Sequence, residues 1–207
     1  MPLTSLTTID IIRHGEPVGG RKYRGQIDDP LSEKGWMQMR NAVGSFDKWQ
    51  HIISSPLSRC HEFALSLAQQ HDIPLSQEPR LREVGFGAWE GLTAAEISIN
   101  DADLLFNFKR NPVAYRPPGA ETIADFYQRV SLAWDELAAR HDGQHLLVVC
   151  HAGVIRMILA HVLGMPAANA YRIQVGSAAI SRITIERRGT DSHANLMFHD
   201  GSLIKNN

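Results

Sequence analysis

Two arginines and two histidines stand at places from which a folded chain can bring them to one point. Arg13 and His14 follow the apolar run at residues 9–12, His151 closes the apolar run at residues 145–150, and Arg59 follows Ile52-Ile53 through Ser54-Ser55-Pro56. Two guanidiniums and two imidazoles around one centre form an anion site suited to a phosphoryl group. Forked guanidiniums pair with its oxygens, and a neutral imidazole nitrogen can attack phosphorus.

Such convergence needs strands that end on the same edge. Residues 9–17 (IDIIRHGEP), 51–59 and 145–153 (HLLVVCHAG) each read as a β-branched or apolar strand breaking into polar residues and a turn. Strands of a parallel sheet are buried on both faces and place ligands just beyond their carboxyl ends. Gly15 permits the sharp turn after His14.

The intervening segments read as helices. Ser32 is an N-cap for residues 33–46, whose stripe is Trp36, Met39, Val43 and Phe46. Pro56 opens a helix to residue 71, which places Arg59 in a first turn whose free backbone N–H groups favour an anion. Residues 73–81 form a short connection or edge strand, residues 93–110 one helix, residues 115–120 (YRPPGA) a stiff breaker, and residues 121–140 a long amphipathic helix. A helix at 152–163 follows. Residues 180–187 alternate in period two, and residues 195–199 pair with them as a late antiparallel edge. Alternating strand and helix imply an α/β fold, a three-layer α/β/α sandwich around a mostly parallel central sheet with an antiparallel edge.

Composition limits the partners. The chain has 207 residues, 43% hydrophobic and 21% charged, with a formal net charge of -1. One domain spanning 1–207 accommodates that length. The charge balance gives no reason to expect nucleic acid or a membrane surface, no run is long enough to cross a bilayer, and the N-terminus shows no secretory leader. Two cysteines, Cys60 and Cys150, are too few for a disulfide framework, so the cytoplasm is the expected compartment.

Between residues 82 and 91 glycines alternate with aromatics around Glu83 and Glu90. Either carboxyl in a partly apolar pocket can act as an acid, because desolvation favours the protonated form. The Gly-rich loop at residues 18–30 starts beside His14 and carries Arg21, Arg24 and Gln26. It is placed either to bind substrate or simply to be solvated.

Taken together, Arg13-His14-Gly15-Glu16, residues 54–59 (SSPLSR), Glu83 within LREVGFGAWEG, and residues 148–153 (VVCHAG) resemble the histidine phosphatase superfamily, which has the phosphoglycerate mutase-like fold. Within it, YRGQIDDPLSEKG and SSPLSRC are most similar to the α-ribazole-5'-phosphate phosphatase branch. The resemblance implies a metal-independent phosphomonoesterase without cofactor, acting on a small phosphorylated metabolite. It makes His14 the nucleophile, Glu83 the proton donor to the leaving group, and Arg13, Arg59 and an imidazolium at His151 the phosphate clamp. Glu16, Arg24 and Gln26 would contact substrate. Pro17 departs from the Thr or Ser common in the family after Glu16.

Other chemistries compete with that reading. Residues 150–156 (CHAGVIR) match the Cys-x5-Arg of cysteine-based phosphatases, but alternation along a strand turns Cys150 away from the side His151 faces. A metal hydrolase on His14, His151 and Glu83 conflicts with the adjacent arginines. A mutase or a broad-specificity sugar or nucleotide phosphatase would share the central residues, and a non-catalytic phospho-ligand module would bind without turnover. The late edge strands are a candidate surface for a homodimer.

Overall fold

The computed structural model describes residues 4–99 and 101–203; residues 1–3, where the leader-free reading begins, lie outside them. The elements in chain order are β1 (Thr4–Arg13), α1 (Glu33–Val43), β2 (His51–Ser54), α2 (Ser58–His71), β3 (Leu75–Gln77), α3 (Ala94–Ile97), α4 (Leu104–Arg110), α5 (Ile123–Arg140), β4 (His145–Cys150), α6 (Ala152–Val162), β5 (Ile180–Arg188) and β6 (Asp191–Gly201). The strands form one sheet in the order β3-β2-β4-β1-β5-β6. β3, β2, β4 and β1 are parallel, and β5 and β6 add an antiparallel edge. Thr4 to Thr7 extend β1 beyond its apolar run because β5 pairs with them.

Alternation along the central strands separates two cores. Ile9, Ile11, Ile53, Leu146, Val148 and Cys150 pack with α5 and α6, while Ile12, Ile52, Leu147 and Val149 pack with α1 and α2. The helices supply matching stripes: Phe126, Val130, Trp134 and Leu137 from α5, and Met39 and Val43 from α1. The result is three layers, as the pattern of elements implies.

Three helical expectations need correction. The helix expected at 93–110 is two short ones, with residue 100 outside the described residues. Thr93 and Glu96 form a capping box that starts α3, and Asp101 accepts a hydrogen bond from the Asp103 backbone. Such local side-chain bonds compete with a continuous helix. α1 ends at Gly44, so Phe46 lies past it and stacks instead on Trp49, with ring centroids 4.8 Å apart. α2 begins at Ser58 rather than Pro56, and its Ser58 N–H is taken by the Asp28 carboxylate at 2.7 Å.

Candidate active site

The register of β1 on β4 sets Arg13 opposite Cys150, and the His14 N–H continues the ladder to the Cys150 carbonyl at 3.0 Å. His14 and His151 therefore leave the sheet side by side, with ring centroids 5.2 Å apart. Gly15 is packed on the first turn of α1. A Cβ there would meet the Gly35 carbonyl oxygen at 2.2 Å, so no side chain fits between the His14 turn and that helix.

The ring atoms of His14 are fixed by one bond. Its Nδ1 lies 2.7 Å from the Gly15 carbonyl, which can only accept, so Nδ1 carries the proton and Nε2 keeps its lone pair. Burial, then the charges of Arg13 and Arg59, hold His14 well below its ordinary pKa of 6.5. The ring is neutral near pH 7.

His151 is fully buried, and its Nε2 is 2.8 Å from the Ser55 hydroxyl. Cys60 packs against the same ring, with Sγ 3.6 Å from Nε2. The expected imidazolium gives way to a neutral ring, because burial and then the Arg59 charge hold His151 well below 6.5.

Two guanidiniums border the histidines. Arg59 is 1% exposed and donates to the Ile27 and Gly25 carbonyls, while Arg13 donates to the Val175 carbonyl at 2.7 Å. The Nε of each is buried without a hydrogen-bond partner. Among the described residues no carboxylate is within ion-pair distance of either. Buried cations without an anion are costly unless a ligand supplies one.

Glu83 reaches this group from a loop. Its carboxylate accepts from the Val84 N–H at 3.0 Å and from the Gly153 N–H, in the first turn of α6, at 3.2 Å. A Cβ on residue 153 would lie 2.2 Å from the Glu83 oxygen, so glycine at that position allows the approach. Glu90, the other carboxyl of this loop, braces it by accepting from the Phe86 and Gln26 N–H groups.

The three residues expected to contact substrate differ in placement. Gln26 is exposed and its amide lies 3.4 Å from the Glu83 carbonyl. Arg24 is buried and donates to Asp29 and the Val18 carbonyl, although its charge still acts on His14. Glu16 turns to Lys34 at 2.9 Å.

Sequence reasoning missed several contributors. Ser55 lay inside a motif, but nothing in its type marked it as the partner of His151. Arg129 of α5 donates to the Arg80, Arg82 and Glu83 carbonyls and pairs with Glu121, fastening the segment that carries Glu83. In the sequence it is one more polar residue on an amphipathic helix.

The Cys-x5-Arg alternative loses its nucleophile. The Cys150 thiol is buried in the core of α5 and α6, and burial pushes its pKa well above 9.0. Among the described residues, no three His, Cys, Asp or Glu side chains are grouped to hold a metal ion, and no helix is long and apolar enough to cross a membrane.

Relatives share this framework. The chain is 32% identical over 180 residues, 84% of its length, to the "Bifunctional protein Rv2228c" of Mycobacterium tuberculosis, and spans 49% of that protein. It therefore covers about half of that relative. It is 30% identical over 180 residues to the "Adenosylcobalamin/alpha-ribazole phosphatase" of Salmonella typhimurium, covering 84% of this chain and 89% of that one. The solved structure of mycobacterial glucosyl-3-phosphoglycerate phosphatase superposes with a TM-score of 0.84 at 26% identity, over 95% of this chain and 100% of that one. Residues 9–195 match the histidine phosphatase superfamily (branch 1), the family to which this chain belongs.

Proposed function

We propose that the protein is a metal-independent phosphomonoesterase that works through a phosphohistidine on His14. The observation that carries this reading is a neutral imidazole with a free Nε2, set beside the buried Arg59 and the half-buried Arg13, whose Nε atoms are buried without partners.

In the first step His14 Nε2 attacks phosphorus, the P–O ester bond breaks, and protonated Glu83 gives its proton to the departing alkoxide. Arg13, Arg59 and His151 take the charge spreading over the equatorial oxygens. His151, kept neutral by burial and then by the Arg59 charge, has a ring N–H with which it donates a hydrogen bond to the phosphate. In the second step Glu83 removes a proton from water as the water oxygen attacks phosphorus. The P–N bond then breaks, releasing phosphate and a neutral His14.

The test is to quench turnover of p-nitrophenyl phosphate in base and map the label. Phosphate on His14, stable to base and labile to acid, is expected. His14→Ala should lose about 10⁴-fold or more in kcat/KM while remaining folded. A label on a cysteine, or normal turnover by that variant, would overturn the reading. α-Ribazole 5'-phosphate belongs in the substrate panel, since a relative carries that name.

A further inference from the structure

The segment that holds the Arg13 guanidinium is itself held by the edge strand. Residues 173–176 belong to no helix or strand, so no ladder fixes their carbonyls. Side chains do so instead, one carbonyl at a time. Ile173 accepts from Arg156 Nε at 2.9 Å, Gln174 from His199 Nε2 at 2.5 Å, and Val175 from Arg13 at 2.7 Å. Just beyond, the Ala179 carbonyl accepts from the Arg13 N–H at 3.0 Å, and the Ala178 N–H donates to the His14 carbonyl at 3.4 Å.

His199 reaches this segment from a deformed part of β6. Ile180 pairs with Gly201 and Arg182 with Phe198, so Ser181 alone faces both His199 and Asp200. The extra residue makes a β-bulge, within which Asp200 has a left-handed φ of 52°. A bulge bends its strand and re-aims a side chain. The His199 Nδ1 lies 2.8 Å from the hydroxyl of the wholly buried Ser181, and Nε2, facing a carbonyl that can only accept, carries a proton. With both ring nitrogens engaged, the imidazole is held in one orientation. The Asp200 carboxylate completes the contact, 3.6 Å from where a Cβ on Gly176 would stand.

We infer that His199 is a positioning residue for the phosphate clamp: by fixing the Gln174 carbonyl it sets the Val175 carbonyl that aims the Arg13 guanidinium. Peptide units are planar, so only the φ and ψ of Val175 separate the two carbonyls, and holding one restricts the other. A guanidinium already aimed loses little freedom when phosphate arrives. The inference rests on the phosphatase reading and adds to it a residue that acts through Arg13.

A double-mutant cycle tests this, read on turnover of p-nitrophenyl phosphate and on the Kd of inorganic phosphate. His199→Ala should lower kcat/KM about tenfold and weaken phosphate binding about fivefold, with KM rising more than kcat falls. His199→Gln keeps an N–H donor and should recover part of the loss. In an Arg13→Met background His199→Ala should add less than about a twofold loss, whereas with Arg59→Met the two losses should multiply. Ser181→Ala, which leaves Nδ1 unheld, should give a smaller loss with the same dependence on Arg13, and it replaces His199→Ala in the cycle if that variant does not fold. Losses that multiply in both backgrounds, or a folded His199→Ala with unchanged turnover and phosphate binding, overturn the inference. No hydrolysis by the wild type overturns the phosphatase reading instead, and the cycle is then decided on phosphate binding alone.

Discussion

Asp10 and Arg13 lie three residues apart on β1, and the protein treats their charges in opposite ways. Asp10 is wholly buried and receives hydrogen bonds from Trp49 at 2.9 Å, His145 at 2.8 Å and both Nε and a terminal nitrogen of Arg182. Burial alone would raise its pKa, but the bonds from His145 and Arg182 outweigh that and hold it below 3.8. At the carboxyl end of the strand, Arg13 and Arg59 are left with buried nitrogens that nothing satisfies. The fold completes the charge at Asp10, whereas at Arg13 and Arg59 it leaves nitrogens unpaired, as the proposed phosphate clamp requires.

Substitutions at the two ends should separate activity from stability. The larger effect is expected at Arg59→Met, which should cut kcat/KM by about 10² to 10³-fold, the scale of one lost transition-state donor. Inorganic phosphate should also cease to raise the melting temperature. Retained turnover would place the guanidinium in loop anchoring alone, through its bonds to Gly25 and Ile27. Next comes Asp10→Asn, which leaves Arg182 without its counter-charge and should cost about 3 kcal/mol, or roughly 6–12 °C in Tm. Turnover per folded molecule should stay near wild type, and a large fall in it would show that the two ends of β1 are coupled.

The smallest effect is the dependence of stability on pH. His14 and His151 have folded pKa values held below 6.5, so the unfolded chain takes up protons first as the pH falls. Their contribution is complete above about pH 6.5 and is lost as the pH drops toward the depressed values. His151→Gln should flatten the loss of Tm over that range by about one proton, roughly 1.4 kcal/mol per pH unit. Asp10 titrates in a separate window, its contribution persisting until the pH falls through 3.8 and below. A single acid transition unaffected by His151→Gln would contradict this separation.

How far the sequence could be read follows the same division. Arg13, His14 and His151 were legible because apolar runs reveal buried strands, and parallel strands must end at one edge. Arg59 was legible from the first turn of an amphipathic helix. Glu83 is different: it is placed by bonds to Val84 and Gly153 and by the Arg129–Glu121 pair, none of which leaves a periodic trace in sequence. Arg24 looked like a ligand contact because loops beside strand ends often bind, yet Asp29, five residues on, takes its guanidinium. The break between α3 and α4 was hidden by residues that score as helical until Asp101 bonds its own backbone.

The pairing of β1 with β4 also constrains how the chain acquires its chemistry. These strands lie far apart in the sequence, and only their alignment places the two imidazoles together. Contacts between distant segments form late, because a long loop must close before they yield any return. A newly made chain can thus fold its local helices while the two imidazoles are still apart, and the proposed site exists only once the middle of the sheet has assembled.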